Sequence, residues 1–180
     1  MNAALLRDLL ARLDNALDKP SKICIYGSGA LMLLGEEDRF SVDIDVAGPY
    51  SDADQAAFAE AAARVGMPVN PPEDSPADHF EWVGPERLCL AAPGDADEVK
   101  LWQGRKLTVV TVSPADLAAS KLIRYDPSDQ SDIQFLAAQA RLRFQDIEVA
   151  VRRLPVPFRD DALVRDNLTN LRADLARWTP

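Results

Sequence analysis

The stretch FSVDIDVA at residues 40–47 alternates between the two faces of an extended chain, which predicts a β-strand. Side chains at positions i and i+2 of a strand point to one face, so Asp43 and Asp45 are expected to converge. Two adjacent carboxylates repel each other, and a divalent cation bound between them removes that repulsion. An ordinary exposed strand face is the alternative, because Asp-x-Asp is common by chance. The alternate residues are expected to face the core: Val42, Ile44 and Val46.

A candidate phosphate-binding turn precedes this strand. Residues 22–26, KICIY, predict a buried strand, and Gly27, Ser28 and Gly29 predict a tight turn into the short apolar helix ALMLL. Such a turn exposes backbone N–H groups at a helix N-terminus, which suits a phosphate. Gly27 permits close approach of the backbone, and the Ser28 hydroxyl can donate to a phosphate oxygen. A plain strand-to-helix turn is the alternative.

The rest of the chain predicts an α/β (α+β) protein, with a small mixed sheet flanked by helices and a helical C-terminal segment. One domain is expected over residues 1–180, with a core at about 20–136 and a tail at about 137–180. Strands are predicted at 79–83, 87–91, 98–102 and 106–112. Helices are predicted at 2–18, 52–65 with Ser51 as N-cap, 113–125, from 127, 145–154 and 159–177.

The composition limits which metal the protein could bind and in which cellular compartment it is expected. One histidine and two separated cysteines do not make a zinc site, so any metal is expected to be oxygen-bound magnesium or manganese. The formal net charge of −9 argues against a surface coated for nucleic acid. No apolar run suits a membrane span, and the first residues predict a helix rather than a signal peptide, so a cytoplasmic protein is expected.

Two blocks of the sequence resemble a known superfamily. YGSGAL at residues 26–31 and RFSVDIDV at 39–46 resemble the nucleotidyltransferase pattern of Gly-Ser, a spacer and Asp-h-Asp, where h is apolar. The second motif is similar to the AbiE-type toxin nucleotidyltransferases of abortive-infection and toxin–antitoxin systems. VSPADLAASKLIRYDPSDQSDI at 112–133 resembles the lysine-bearing helix of that branch and the Asp-x-x-Asp helix start that follows it. The resemblance extends over residues 23–136.

The resemblance implies roles for residues of the second block. Lys121 would contact the nucleotide phosphates, and Asp129 and Asp132 would belong to the nucleotide site. Independently, a lysine among apolar helical residues can lay its stem on apolar surface and extend its ammonium toward a triphosphate. The alternatives are a surface lysine and two aspartates that cap a helix N-terminus.

Active members of the superfamily also bring a third carboxylate from a neighbouring strand, and no residue here matches that position clearly. Glu98 is ranked first because it would share a strand face with Lys100 and Trp102. Glu81 is ranked second, between Phe80 and Trp82. Glu86 is ranked last because it follows a Gly-Pro turn: Gly84 and Pro85.

The expected function is metal-dependent transfer of a nucleoside monophosphate from an NTP to a hydroxyl of RNA, such as tRNA, or of a protein. The resemblance implies a toxin with a cognate antitoxin protein. The alternative is a degenerate fold that acts through a protein partner without turnover, and phosphodiester hydrolysis by the same metal pair is a weaker third idea. The tail offers either an RNA-facing patch or a solvated helix face at Arg141, Arg143, Arg152, Arg153 and Arg159.

Overall fold

The computed structural model describes residues 1–36, 38–72, 75, 77–94 and 97–178. The chain divides into two compact units. The first consists of Met1–Arg87 and Glu98–Thr111, and the second of Leu88–Asp97 and Val112–Pro180. The organisation as one domain stays a prediction.

The first unit contains helices and strands in mixed order. Their bounds are α1 (Ala3–Ala16), β1 (Ser21–Cys24), α2 (Gly27–Leu34), β2 (Asp43–Ala47), α3 (Gln55–Arg64), β3 (His79–Val83), β4 (Val99–Gln103) and β5 (Leu107–Thr111). β1 pairs with β5 in parallel, and β4 pairs with β5 antiparallel. β2 pairs with β3 in parallel, and an isolated bridge between Ile25 and Val46 connects the two ladders. This arrangement confirms the predicted small mixed sheet.

The burial pattern along β2 shows which of its side chains face the core. Ile44 and Val46 are fully buried, while Asp43 and Asp45 on the opposite face are half-buried. The prediction for Val42 is wrong, because its side chain is 60% exposed. The strand begins only at Asp43, so Val42 lies outside the pleat that would direct it inward.

A buried carboxylate joins α1 to the turn between β4 and β5. Asp14 accepts hydrogen bonds from the backbone N–H groups of Arg105, Lys106 and Leu107, at 3.2, 2.7 and 2.7 Å. These donors satisfy a carboxylate that is only 6% exposed. The leucines of the same helix fill the core on its inner face: Leu6, Leu9, Leu10 and Leu13.

The second unit contains four α-helices among its described residues. Its helices are α4 (Pro114–Ser120), α5 (Pro127–Ala140), α6 (Phe144–Val151) and α7 (Ala162–Trp178). Single turns of 3-10 helix follow α4 and precede α7, at Lys121–Ile123 and Phe158–Asp160. The predicted helical C-terminal segment is therefore confirmed. No helix within the described residues is both long and apolar enough to cross a membrane.

Three local predictions need correction. α3 is capped by Asp54, which accepts from Ala56 and Ala57 at 3.0 and 3.1 Å, whereas Ser51 accepts from the Cys24 backbone N–H. The apolar run at 87–91 forms no strand: the chain turns there, the Arg87 N–H donates to the Gly84 carbonyl at 3.2 Å, and the side chains of Leu88 and Leu90 are buried. The helix predicted over 113–125 is α4 followed by the 3-10 turn.

Candidate active site

Three carboxylates converge where β2 and β3 run side by side. Asp43 and Asp45 share one face of β2, and Glu81 on β3 is the register partner of Asp45. One oxygen from each of the three carboxylates lies within 4.8 Å of the others. The i, i+2 spacing on one strand and the parallel register of its neighbour together produce this cluster, which we call the acidic triad.

The predicted position of Glu98 is wrong. Its carboxylate accepts a hydrogen bond from the Lys22 ammonium at 2.9 Å, and this bond is the main reason that the pKa of Lys22 is raised. Among the described residues, the metal-compatible cluster contains Glu81 and not Glu98. Strand propensity placed Glu98 on a strand face, but the pairing of β3 with β2 decides which glutamate meets Asp45. Glu86, the third candidate, lies in the turn after β3.

Neighbouring side chains hold two members of the triad in place. Ser41 Oγ donates to Asp43 Oδ1 at 2.6 Å, and Arg87 Nη2 donates to Glu81 Oε1 at 2.6 Å. The Arg87 side chain is 74% exposed, so this ion pair is weakly held. Three carboxylates this close repel one another, and a divalent cation would relieve that repulsion.

The donor set fits an oxygen-bound divalent ion. All three ligand groups are half-buried carboxylates, which suit Mg²⁺ or Mn²⁺ rather than a metal that prefers nitrogen or sulfur. Asp43 and Asp45 were predicted as the metal ligands, and Glu81 joins them as a third possible ligand. The sequence signal for Glu81 was its place on a predicted strand.

Gly27 lies directly against the triad at the start of α2. Its φ of +61° is in the left-handed region, and a Cβ at this position would lie 2.3 Å from Asp45 Oδ2. The Tyr26 N–H also donates to the Asp45 carbonyl at 3.1 Å. A residue with a side chain would be strained at this φ, and the Asp45 carboxylate would have to move to make room for its Cβ. The helix N-terminus and the triad are therefore adjacent.

An arginine to which the sequence alone assigned no role lies beside this helix start. Arg39 donates from Nε and Nη2 to Ser28 Oγ, at 3.1 and 3.0 Å. The serine oxygen accepts both bonds, which leaves its own proton able to bond a further acceptor. The two residues bring a guanidinium and a hydroxyl to the first turn of α2, where the backbone N–H groups already favour an anion. The signal was present in RFSVDIDV, whose first residue is Arg39.

In the second unit, the predicted nucleotide residues form a buried ionic cluster. Lys121, 9% exposed, places Nζ 2.6 Å from Asp132 Oδ2 and 3.3 Å from Asp129 Oδ1. Arg124 donates twice to Asp129, at 2.8 and 2.9 Å, and this pairing is the main cause of its raised pKa. The ammonium of Lys121 is therefore bound by two carboxylates, and its contact with nucleotide phosphates stays a prediction.

Most arginines of the predicted RNA-facing patch are ion-paired. Arg153 binds Asp116 and Asp97, Arg152 binds Glu148, Arg143 binds Asp146, and Arg159 binds Asp160. Among the described residues Arg141 has no ion pair. The five arginines therefore do not form one uniform cationic surface.

The mixed sheet, the Asp-x-Asp strand and the adjoining Gly-Ser helix start define a protein of the nucleotidyltransferase class. More particularly, the chain belongs to the family described as "Nucleotidyltransferase of unknown function (DUF6036)", which it matches over residues 4–152. The predicted superfamily is thereby confirmed, and a general nucleotidyl transfer function comes with it. Comparisons with the curated proteins and with the solved structures found no match.

Proposed function

We propose that this protein is a metal-dependent nucleotidyltransferase that moves a nucleoside monophosphate from an NTP to a hydroxyl acceptor. The observation that carries the proposal is the acidic triad of Asp43, Asp45 and Glu81, whose oxygens approach within 4.8 Å. These residues would hold Mg²⁺ or Mn²⁺. When bound, such ions supply positive charge that stabilises the attacking and leaving oxygens of the transfer.

The chain's own residues would position the reacting groups. In the reaction, the acceptor oxygen forms a bond to the α-phosphorus while the bond to the departing pyrophosphate breaks. We assign the proton of the acceptor hydroxyl to Glu81, which faces the site from the neighbouring strand. Asp43 and Asp45 then act as ligands only, and the Ser41 hydroxyl keeps Asp43 in the orientation that ligation needs.

The triphosphate would bind at the start of α2. Gly27 allows the backbone to approach the triphosphate closely, and the Ser28 hydroxyl donates its proton to a phosphate oxygen. Arg39, held over Ser28 by two hydrogen bonds, adds the positive charge that this part of the site needs. This assignment keeps Gly27 and Ser28 as nucleotide-binding residues and adds Arg39 to them.

Lys121, Asp129 and Asp132 remain proposed site residues through the resemblance alone. Their mutual ion pairs support a structural role, in which they stabilise the connection between α4 and α5. A phosphate contact by Lys121 would require its ammonium to exchange one of these carboxylates for the ligand. We therefore give Lys121 a structural role first and a nucleotide contact second.

The biological setting is taken from the resemblance to the AbiE-type branch. We propose a cytoplasmic toxin of a toxin–antitoxin pair, with an antitoxin protein as partner and RNA, such as tRNA, or a protein as acceptor. The motif RFSVDID at residues 39–45 supports this branch.

A binding module without turnover is the second candidate. The observation that favours it is the ion pair between Arg87 and Glu81, since a guanidinium there occupies an oxygen that catalysis needs. The intact triad and the close approach of Gly27 to Asp45 favour the enzyme, because a site that only binds a partner has no need for either.

A labelled-NTP transfer assay separates the two candidates. Each of the four NTPs is offered with total RNA and with lysate protein, first in Mg²⁺ and then in Mn²⁺. We expect label on one acceptor class with the parent protein and with Glu98→Gln, and none with Glu81→Gln. Absence of label under every condition would place the binding module ahead. Equal labelling by parent and Glu81→Gln would refute the role of Glu81.

A further inference from the structure

A groove in the second unit combines arginines with aromatic side chains. It has a volume of about 680 Å³ and is formed by the end of α5, the start of α6 and the end of α7. Its lining includes Arg141, Arg143, Arg172, Phe144 and Trp178. Among the described residues that line it, none is acidic. We call it the arginine groove.

The charges around the groove are only partly balanced. Arg143 is paired with Asp146 at 3.1 Å, and Arg172 approaches Glu148 only to 4.0 Å. Glu148 is already shared with an arginine outside the groove, and Arg141 has no ion pair within the described part of the chain. In a chain with a net charge of −9, this is a local excess of positive charge beside apolar surface.

The aromatic residues narrow the class of ligand. The Arg172 guanidinium lies 4.3 Å from the centre of the Phe144 ring, so one ring face is already stacked. Trp178 is half-buried and is among the residues that line the groove. Nucleobases stack on aromatic and guanidinium planes while their phosphates pair with arginine, and an acidic peptide offers only the second of these contacts.

We propose that the arginine groove binds a single-stranded segment of RNA. The segment would place a base against Phe144 or Trp178 and its phosphates against Arg141 and Arg172. The volume is that of a small-ligand site and admits one or two nucleotides of a longer strand. That the bound RNA serves as the acceptor rests on the proposed function, whereas binding itself does not.

Fluorescence anisotropy with a labelled single-stranded RNA of about ten nucleotides tests the proposal, without NTP or metal. The double variant Arg141→Gln, Arg172→Gln should weaken binding at least tenfold. The log–log slope of its affinity against salt concentration should become shallower by about 0.7 for each phosphate that is no longer neutralised. Phe144→Leu should also weaken binding by about tenfold, since it removes a stacking plane.

Matched variants make the result specific. Arg165→Gln removes an exposed arginine of α7 outside the groove and should bind RNA as the parent does. Asp45→Asn should lose transfer yet bind RNA normally, so a failed proposed function does not imitate a failed groove. RNA binding unchanged in the double variant, or weakened equally in Arg165→Gln, would overturn the proposal. So would a glutamate-rich peptide that occupies the groove in preference to RNA.

Discussion

Asp45 on β2 and Glu81 on β3 are register partners in a parallel strand pair. Parallel neighbours in register point their side chains to the same face, so this pairing brings a second strand's carboxylate to the Asp43–Asp45 face. A slip of one residue would direct Glu81 to the opposite face and remove it from the triad. The assignment of the third carboxylate therefore depends on one register.

Gly27→Ala should damage both stability and the metal site. A residue other than glycine at φ +61° costs about 1–2 kcal/mol, and the new Cβ would also collide with Asp45 Oδ2. We expect a lower melting temperature and weaker Mn²⁺ binding, measured by differential scanning calorimetry and titration calorimetry.

Gly66→Ala is the matched control for that substitution. Gly66 has φ +79°, but no atom lies within 4 Å of a Cβ added there. It should lose similar stability while keeping Mn²⁺ affinity. If Gly27→Ala binds Mn²⁺ as tightly as Gly66→Ala, the contact with Asp45 has no bearing on the metal site.

Arg39→Gln should weaken NTP binding without destabilising the fold. Loss of a charge-assisted hydrogen bond costs about 1.5–3 kcal/mol, or roughly ten- to a hundredfold in affinity. Titration calorimetry with a non-hydrolysable NTP and Mg²⁺ measures the change. Arg64→Gln, which removes an exposed arginine of α3, should bind as the parent does. Identical NTP affinity in the two variants would remove Arg39 from the site.

Lys121→Ala should destabilise the protein by about 3–5 kcal/mol, because it leaves two buried carboxylates without the ammonium that pairs with them. Arg152→Ala breaks an exposed pair with Glu148 and should cost less than about 1 kcal/mol. Urea unfolding measures both. A Lys121→Ala protein as stable as Arg152→Ala, but with weaker NTP binding, would show that the lysine serves the nucleotide rather than the fold.

Asp14 should make the free energy of unfolding depend on pH in the acidic range. Burial raises its pKa, but three backbone N–H donors outweigh burial, so its pKa lies below its ordinary value. A group whose pKa is lower in the folded than in the unfolded state stabilises the fold at pH values above its unfolded pKa, which is about 3.9 for Asp. This stabilisation is lost as the pH falls through the folded-state pKa. The parent's free energy of unfolding should therefore decline in that range.

Asp14→Asn isolates this contribution. At pH 7 the variant should be less stable by about 1–3 kcal/mol, since buried donors lose a charged acceptor, and the difference should shrink in acid. Asp8→Asn, on the exposed face of the same helix, should change little at either pH. A gap between parent and Asp14→Asn that stays constant from pH 7 to acid would contradict the assignment.

Local patterns were sufficient for much of the fold. The alternation in FSVDIDVA predicted β2 and the convergence of its aspartates, because the period of a strand is fixed by backbone geometry. Leucine spacing predicted α1 within two residues at each end. Ser51 was predicted as the N-cap of α3, but the helix begins at Gln55 with Asp54 as its cap. Local sequence does not fix where the turn after β2 ends.

The third carboxylate of the site could not be identified from local sequence patterns. Glu98 was ranked above Glu81 because of the strand face it would share with Lys100 and Trp102, although Glu81 lies between two apolar residues. The distinction arises because β3 pairs with β2, whereas the strand that follows Glu98 pairs with β5. Pairing between strands distant in sequence depends on the whole fold. For the same reason, the burial of Lys121 between Asp129 and Asp132 could not be foreseen from an apolar helix pattern.

Manganese titration of matched glutamate variants tests the central claim, that Asp43, Asp45 and Glu81 form one metal centre. By calorimetry, the parent and Glu98→Gln should bind Mn²⁺ alike, and the double variant Asp43→Ala, Asp45→Ala should show no binding at this site. Glu81→Gln should lose at least about tenfold in affinity, since even outer-shell changes cost that much. Glu81→Gln binding as tightly as the parent would contradict the account, as would loss of affinity in Glu98→Gln.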